Sequence, residues 1–353
     1  MTERRRPRID AGRLIELIDG FDGLRVAVFG DLIVDEFIYG EIARVSREAP
    51  VLILNYNATE IVPGGAGNAA ANVAALGGSP VVAGVVGRDE QGRRLLETLK
   101  HRADLGAVVR PAGQLTPTKT RILAGGIHSA KQQVVRIDRV TTPVMSAADL
   151  KAIESRLLKA VKRCDAMLVS DYGTGLVTPR IVAAARKKMR PPSPRHSRAA
   201  RHGEGGPLLV DSRYALAKFR GITTCTPNES EVEQLFGIRI GENTRVLERA
   251  GRELLRQTRA QAVLVTRGSR GMALFERDRP TIHIPIHGSD QIADVTGAGD
   301  TVIATMTLAL AAGAAFEEAA HLANYAGGIV VMKRGTATVS ADELRAAVLT
   351  DRG

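Results

Sequence analysis

The sequence predicts an α/β fold in which a mostly parallel central sheet is flanked by helices. Short apolar runs, typical of buried parallel strands, recur along most of the 353-residue chain. Helical patterns lie between these runs, and such strand–helix alternation is typical of layered α/β proteins. Ligands in these folds bind at the carboxyl ends of the strands, so we expect the functional site there.

The individual elements follow from these patterns in chain order. Buried parallel strands are predicted at 25–29, 81–86, 166–170, 208–211 and 262–266. Helices are predicted at 67–76, 90–102, 147–163, 178–189 and 244–259. The stretch 281–286 resembles a further strand. The Ala-rich run 301–316 predicts a buried helix, because it is too short to span a bilayer.

Two stretches break the alternation. Residues 34–62 and 107–138 look like strands joined by turns, with no helix between them. We expect both excursions to form one small antiparallel sheet, which would cover the substrate end of the site as a lid. The alternative is a simple edge extension of the central sheet.

Charge and composition limit the function classes. The net charge is +11, but most of the excess lies in residues 3–8 and 186–204, so we expect solvated, mobile chain there. Contact with an acidic partner is the alternative. The chain has no Trp, and so few aromatic residues argue against a nucleic-acid stacking surface. We do not expect nucleic acid to be a partner.

Domain organisation and compartment follow from the remaining features. We expect an N-terminal segment at 1–23, one domain at 24–350, and a disordered Pro-, Gly- and Arg-rich insertion at about 190–207. The two cysteines are too few for a disulfide framework and indicate a reducing compartment. No signal-peptide core or membrane span is visible, so we expect a soluble cytoplasmic protein with no membrane contact.

The strongest chemical signal is the segment 294–300, Asp-Val-Thr-Gly-Ala-Gly-Asp, which precedes the long apolar helix. Small residues before a helix let backbone N–H groups converge on an anion, and the helix dipole adds partial positive charge. Gly297, Ala298 and Gly299 would supply these amides. Asp300 is predicted to cap the helix, and it could also face the bound anion.

This segment resembles the C-terminal signature of the ribokinase (PfkB) family of carbohydrate kinases. Gly30, Asp31 and Asp35 match the family's strand-end substrate motif, and residues 63–68 match its Gly-Gly-Asn motif. Residues 226–231 match the Asn-x-x-Glu motif, and residues 266–271 match the nucleotide loop. The resemblance covers roughly residues 24–350, and five motifs in the family's order are not expected by chance.

The resemblance implies an ATP-dependent kinase and assigns roles at its reaction centre. Asp300 would be the general base that takes the proton of a sugar hydroxyl, and the amides of Gly297, Ala298 and Gly299 would form an anion hole. Asn228 and Glu231 resemble the pair that organises Mg²⁺, through water, and the triphosphate.

The resemblance also assigns the two binding regions. Thr266, Gly268 and Gly271 resemble the phosphate and ribose loop for ATP, and Asn324 matches a position near the adenine. On the sugar side, Asp31 and Asp35 would bind hydroxyls, while Gly64, Gly65 and Asn68 would let the sugar approach the backbone. A monovalent cation is left open as a further cofactor.

Within the family, residues 44–50, 118–121, 132–138, 169–172 and 327–340 resemble the D-glycero-β-D-manno-heptose 7-phosphate kinases. This implies phosphorylation of O1 of the heptose 7-phosphate in ADP-heptose synthesis, which feeds cell-surface polysaccharide. Such kinases are separate proteins or the first half of a fusion with a nucleotidyltransferase. We expect the nucleotidyltransferase to be a separate protein here. The resemblance also implies a homodimer with paired lid strands.

Basic residues in the second excursion predict a phosphate on the sugar. Lys119 and Arg121 are two residues apart, so on a strand they share a face, and like charges there require an anion. Arg136 and Arg213 would add contacts. A solvated basic face is the alternative.

Three departures put the identity of the sugar in doubt. Asp-Ser-Arg stands at 211–213 where the heptose group has Asp-Pro-Lys, the insertion is foreign to the pattern, and residues 124–129 lengthen a lid turn. The alternatives are a kinase for another phosphosugar or a nucleoside, and a non-catalytic nucleotide- or sugar-binding protein. The presence of Asp300, Asn228 and Glu231 argues against the non-catalytic alternative.

Overall fold

The computed structural model describes residues 10–125, 131–140, 145–191, 205–288, 294–333 and 335–351. Its strands are β1 (Arg25–Gly30), β2 (Leu32–Val45), β3 (Leu52–Gly65), β4 (Ser79–Val85), β5 (Asp104–Val109), β6 (Thr118–Gly125), β7 (Gln132–Arg139), β8 (Ala166–Asp171), β9 (Leu208–Ser212), β10 (Thr224–Cys225), β11 (Ala262–Thr266), β12 (Met272–Glu276) and β13 (Ile282–Ile284). Its helices are α1 (Ala11–Asp19), α2 (Ala66–Ala75), α3 (Glu90–Leu99), α4 (Ala147–Val161), α5 (Pro179–Arg186), α6 (Glu229–Phe236), α7 (Thr244–Thr258), α8 (Ala298–Ala311), α9 (Phe316–Val331) and α10 (Ala341–Thr350).

The central sheet has six strands in the order β10-β9-β8-β1-β4-β5, and all its pairings are parallel. Strand β1 lies inside this sheet, with Val26 and Val28 in the hydrophobic core on one face. Ala27 and Phe29 belong to the core on the other face. Because helices cover both faces, the strands are continuously apolar, which explains why the sequence pattern predicted a buried parallel sheet.

The predicted strand at 262–266 is buried but pairs differently from expectation. As β11 it pairs antiparallel with β12, and β13 completes a three-stranded sheet. Its parallel contact is an isolated bridge between Asn228 and Thr266. The expected parallel ladder is wrong here because the short loop at 267–271 returns the chain directly, and a short loop permits only an antiparallel neighbour.

The lid is a separate four-stranded sheet in the order β3-β2-β6-β7. The pairs β2–β3 and β6–β7 are antiparallel, but β2 and β6 run parallel, so the expectation of a wholly antiparallel sheet is wrong. The two hairpins follow β1 and β5, which run parallel in the central sheet, and their first strands, β2 and β6, run in the same direction. Residues 107–109, expected in the lid, lie in β5 of the central sheet.

Helices pack on both faces of the central sheet. Helix α8 is the buried helix predicted from the Ala-rich run, and almost all of its side chains are inaccessible. Helix α1 buries Leu14, Leu17 and Ile18 in the same core, so residues 11–19 of the expected N-terminal segment pack onto the domain. Among the described helices, none has both the length and the apolarity needed to cross a membrane.

Three sequence features lie wholly or largely outside the described residues. They are the basic run at 3–8, the insertion at about 190–207 apart from its two ends, and most of the lengthened lid turn at 124–129. The ends of the insertion are described, and the Gly206 N–H donates to the Arg190 carbonyl at 3.0 Å. The chain therefore leaves and re-enters the domain at neighbouring points.

Candidate active site

The site forms where the carboxyl ends of the central strands meet the beginning of α8. All the residues predicted for the reaction centre and for ATP line one cavity of about 400 Å³, and Arg213, predicted to contact the sugar phosphate, also lines it. The residues of the first group are Gly297, Ala298, Gly299, Asp300, Asn228, Glu231, Thr266, Gly268, Gly271 and Asn324. Residues more than 100 positions apart in the chain, such as Arg213 and Asn324, thus surround one space, at the edge of the sheet where the sequence predicted a site.

Gly297 shapes the entrance to α8. It occupies the N-cap position with φ 80°, a conformation that favours glycine, and a Cβ there would lie 2.5 Å from the Asn68 amide nitrogen. The Ala298 N–H donates to the Val295 carbonyl at 3.3 Å. Gly299 lies in the first helical turn, where N–H groups have no intrahelical acceptor. The Gly299 amide is therefore better placed than that of Ala298 to meet an anion.

Asp300 lies in the first turn of α8, two residues beyond its first residue, so the expectation that it caps the helix is wrong. Its carboxylate is buried. One oxygen accepts from Asn68 Nδ2 at 2.9 Å and the other from the Tyr172 hydroxyl at 3.4 Å. Burial raises the pKa of Asp300 to about 7, opposed by the Asn68 hydrogen bond. A pKa near neutrality suits a general base.

A buried amide network orients Asn68. The Asn72 Nδ2 donates to both the backbone carbonyl and the side-chain oxygen of Asn68, each at 3.1 Å. The Thr301 hydroxyl in turn donates to the Asn72 side-chain oxygen at 3.0 Å. With its oxygen engaged, Asn68 presents its NH₂ group to Asp300. Asn68, expected to contact the sugar, therefore also holds the carboxylate beside it.

Asn228 and Glu231 begin helix α6 as a capping box. Asn228 Oδ1 accepts from the Glu231 N–H at 2.9 Å, and Glu231 Oε2 accepts from the Asn228 N–H at 3.0 Å. Burial raises the pKa of Glu231. Burial, with the nearby Glu231 and Asp300, also raises the pKa of Asp211 well above its ordinary value. Carboxylates held this close repel each other when both are ionised, and a cation between them would remove that cost.

These residues fit a divalent cation held largely through water. Asp211 and Glu231 line the same cavity, and carboxylate oxygen is the ligand type that Mg²⁺ prefers. Within the described part of the chain, no three His, Cys, Asp or Glu side chains cluster closely enough for a fully protein-bound ion. Water and phosphate oxygens would therefore supply most of the coordination.

The wall of the cavity that is predicted to bind the nucleotide combines a tight loop with apolar side chains. Gly268 and Gly271 have φ values of 57° and 74°, and a Cβ at Gly271 would collide with the Ile284 carbonyl. Met272 and Val331 line the cavity beside them. Asn324 donates from Nδ2 to the Pro285 carbonyl at 2.9 Å, which fixes its amide orientation. An apolar slot with a few fixed polar groups is typical of small-molecule sites.

Asp31 and Asp35 lie on the lid side, outside the lining of this cavity. The Asp31 carboxylate accepts from the Thr174 hydroxyl at 2.5 Å and from the Tyr172 and Thr174 N–H groups at 2.8 and 3.3 Å. It therefore anchors the loop after β8, and its contact with a sugar stays a prediction. Asp35 accepts from Arg121 Nη1 at 2.5 Å.

The two glycines of the Gly-Gly-Asn motif allow the protein to pack closely upon itself. A Cβ at Gly64 would collide with the Asp35 carboxylate. Gly65 has φ 55°, and a Cβ there would lie 2.6 Å from the Asp31 carbonyl oxygen. The lack of a side chain at both glycines thus leaves room for the strand-end aspartates. Whether they also admit a sugar stays a prediction.

The basic side chains of the lid sheet have partners that differ from those expected. Lys119 and Arg121 both lie on β6, but Arg121 forms a buried ion pair with Asp35 and so does not require an external anion. Arg136 pairs with Asp138 at 2.6 Å. Among the described residues Lys119 has no carboxylate partner. Its Nζ lies 4.5 Å from the centre of the Tyr172 ring, and burial lowers its pKa.

Sequence reasoning missed several residues of the site. Tyr172 contacts both Asp300 and Lys119, and Asp211 lines the cavity. Both follow or end predicted strands, a position that could have marked them as candidates. Asn72 lies one helical turn after Asn68, and this spacing was the available signal for it.

Comparisons with known proteins agree with this geometry. A family model described as pfkB family carbohydrate kinase matches residues 24–160 and 197–343. The protein named Bifunctional protein HldE from Caulobacter vibrioides is 40% identical over 345 residues, which cover 96% of this chain and 66% of that protein. The protein of the same name from Geobacter metallireducens is 40% identical over 323 residues, covering 91% of this chain and 62% of that protein. The chain thus spans just under two thirds of the length of these relatives.

Solved structures confirm the expected ribokinase-like fold, and the family match then supplies the identity. Phosphofructokinase-2 from Escherichia coli in complex with potassium superimposes with a TM-score of 0.70 at 19% identity, covering 93% of this chain and 99% of that one. Arabidopsis thaliana ribokinase complexed with ribose and ATP gives a TM-score of 0.64 at 21% identity, covering 93% and 98%. Since the family model spans most of the chain and the motif residues predicted for the reaction centre and for ATP line one cavity, this protein belongs to the pfkB family of carbohydrate kinases.

Proposed function

We propose that the chain transfers the γ-phosphoryl group of MgATP to O1 of D-glycero-D-manno-heptose 7-phosphate. Membership of the family makes it a phosphotransferase acting on a sugar hydroxyl, and the proposal adds the substrate and the metal. The observation that carries it is the buried Asp300 carboxylate, which lies where the nucleotide cavity meets the lid and has a pKa of about 7.

Asp300 is the base in this proposal. As the sugar oxygen forms its bond to the γ-phosphorus, the bond from that phosphorus to the ADP oxygen breaks, and the sugar hydroxyl proton moves to the Asp300 carboxylate. Asn68 and Tyr172 hold the carboxylate by its two oxygens. The N–H groups at the start of α8, with Gly299 among them, stabilise the negative charge of the transferring group.

The proposal assigns the remaining cavity residues to ATP and to its metal ion. Thr266, Gly268 and Gly271 bind phosphate and ribose, and Asn324 lies at the adenine end of the apolar slot. Asn228 and Glu231, with Asp211, would hold Mg²⁺ through water. When bound, the ion would neutralise part of the phosphate charge.

The choice of heptose 7-phosphate rests on the lid and on sequence. Lys119 is a half-buried ammonium facing the site, and Arg213 lines the cavity. A phosphate on the substrate would give both cations a counter-charge. Five segments resembling heptose 7-phosphate kinases support the same substrate, and the HldE relatives share 40% identity with the chain.

An ADP-release assay over a panel of acceptors tests the proposal. The panel contains heptose 7-phosphate, heptose, fructose 6-phosphate, ribose and adenosine, each with and without Mg²⁺. We expect Mg²⁺-dependent turnover with heptose 7-phosphate above all others, and ³¹P NMR should then show a new phosphate on the anomeric carbon. Preference for another acceptor refutes the substrate, and nucleotide binding without turnover on any acceptor indicates a non-catalytic binding protein.

A further inference from the structure

Glu229, the first residue of α6, holds two arginines of the nucleotide loop. Its carboxylate accepts from Arg267 Nε at 2.8 Å and from Arg270 Nη2 at 2.5 Å. The Glu229 side chain is 11% exposed and that of Arg267 is 8% exposed. A buried carboxylate therefore lies between two guanidinium groups. It does not line the cavity itself.

The three residues connect two walls of the nucleotide cavity. Glu229 lies between Asn228 and Glu231 in sequence, at the start of α6. Arg267 and Arg270 bracket the short helical turn that contains Gly268, and the Arg267 N–H donates to the Gly271 carbonyl at 2.8 Å. The ion pairs thus fasten the phosphate loop to the helix start proposed to organise the metal.

Two further hydrogen bonds in the described chain hold these walls. The Thr266 N–H donates to the Pro227 carbonyl at 3.0 Å, just before the two chain segments that contain these residues diverge. Beyond that point, Arg267 also donates from Nη2 to the Gly241 carbonyl at 3.0 Å. Arg267 is therefore held on two sides and has little freedom once Glu229 is in place. An exposed ion pair would contribute little, but a buried, charge-assisted pair of this geometry is strong.

We propose that Glu229 is a positioning residue that sets the spacing between the nucleotide loop and the start of α6, and thereby the affinity for the nucleotide triphosphate. The inference rests on the proposed ATP site. It extends that site to a residue that touches neither substrate. The sequence motif alone assigns Glu229 no role, because the residue stands at a position that the Asn-x-x-Glu motif leaves unspecified.

The Glu229→Gln variant distinguishes a positioning role of Glu229 from a purely electrostatic effect of its charge on ATP binding. A purely electrostatic role predicts tighter ATP binding, since the change removes a negative charge near a triphosphate. A positioning role predicts weaker binding, because the loop loses its anchor. We expect the Kd and the KM for ATP to rise about tenfold, while kcat and the KM for the sugar stay within about twofold.

Calorimetric titration with ATP in the absence of sugar makes the readout independent of turnover. Glu253→Gln is the matched control, because Glu253 pairs with Arg256 on the exposed face of α7. Arg270→Gln, which removes the more exposed arginine, should weaken ATP binding less than Glu229→Gln. Unchanged or tighter ATP binding by a folded Glu229→Gln variant would overturn the proposal.

A second variant covers the case in which Glu229→Gln does not fold. Arg267→Lys keeps the positive charge but loses the fork that reaches both Glu229 and the Gly241 carbonyl. We expect it also to weaken ATP binding, and normal binding by this variant would refute the inference. Failure of the proposed function can be distinguished from failure of this inference, because the wild-type protein would then bind ATP without phosphorylating any acceptor.

Discussion

At the scale of single residues, Asp300 combines features that favour catalysis over stability. Its carboxylate is buried and lies near Asp35 and Asp211, and within the described chain its hydrogen-bond donors, Asn68 and Tyr172, are neutral. Such an environment raises the pKa toward neutrality and makes the ionised form costly to keep in the folded protein. The same residue can therefore be tested by kinetics and by stability.

Replacing Asp300 by Asn should remove the base and preserve the shape of the site. Asn keeps an oxygen to accept from Asn68 Nδ2, and no helix cap is lost because Gly297 holds that position. We expect kcat to fall by about 10²- to 10⁴-fold with little change in ATP affinity. Steady-state kinetics and ATP titration measure both. A fall of less than about tenfold contradicts the assignment.

The same substitution predicts a pH-dependent gain in stability. The folded-state pKa of Asp300 is about 7 against an ordinary 3.8, so the folded protein binds the proton more tightly than the unfolded chain. The contribution of Asp300 to the stability of wild type therefore becomes less favourable as the pH rises from about 4 to 7, by up to about 4 kcal/mol at about 1.4 kcal/mol per pKa unit. Asp300→Asn does not titrate.

Melting temperatures measured between pH 4 and pH 8 check this prediction. The advantage of Asp300→Asn over wild type should grow through this window and level off above about pH 7. A constant difference across the window would show that Asp300 titrates at its ordinary pKa. The acid limb of kcat/KM, which reports the pKa of the free enzyme, should fall below about pH 7 for the same reason.

At the scale of elements, the lid strand β6 contributes one cation that is free to meet an anion. Arg121 is paired with Asp35, and Arg136 with Asp138, whereas Lys119 forms no ion pair in the described chain and lies over the Tyr172 ring. Of the two cations on β6 that were expected to meet a phosphate, only Lys119 therefore lacks an ion-pair partner in the described chain, and Arg213 lines the adjoining cavity.

Neutralising Lys119 should affect the sugar and not the nucleotide. We expect Lys119→Met to raise the KM for a phosphorylated sugar by about tenfold or more, since it removes a charge-assisted contact. The KM for ATP should stay within about twofold. Lys131→Met is the control, because Lys131 lies on the same sheet over the Tyr39 ring. Equal kcat/KM for heptose and heptose 7-phosphate in wild type would refute the phosphate subsite.

The insertion after α5 should be dispensable. Arg190 and Gly206 already pair through their backbones, so the domain closes without the residues between them. Replacing residues 192–204 by a short Gly/Ser linker should leave kcat/KM and melting temperature nearly unchanged, because loop-closure entropy varies slowly with length. A clear loss of activity would show that this segment reaches the site.

At the scale of the whole molecule, the lid presents apolar side chains to solvent. Val45, Leu52, Tyr56 and Ile137 are each at least 45% exposed. Exposed apolar surface of this extent on a sheet is typical of an interaction site. Together with the resemblance to family members whose lid strands pair, it supports the proposed homodimer.

Sedimentation at micromolar concentration tests the dimer. We expect wild type to sediment as two chains, and Ile137→Asp to shift the equilibrium toward one chain. Leu349→Asp is the control, because Leu349 is similarly exposed but lies on α10, away from the lid. A wild-type monomer under these conditions would remove the proposal.

The sequence by itself determined the features that depend on local pattern. Continuous apolar runs predicted the parallel strands, because both faces of that sheet are covered. Glycines at 271 and 297 marked sharp backbone turns, because a Cβ there collides with neighbouring atoms. The order of the motifs then predicted the family, and the residues assigned to the reaction centre and to ATP line one cavity.

Only the tertiary structure decided which groups meet across the fold. Asp300 contacts Asn68 and Tyr172 over 232 and 128 residues of chain, and Arg121 reaches Asp35 over 86. These partners lie on different elements, so no local periodicity relates them. The pKa of Asp300, the neutralisation of Arg121 and the anchoring of the loop by Glu229 follow from burial and packing between elements, which the sequence pattern does not specify.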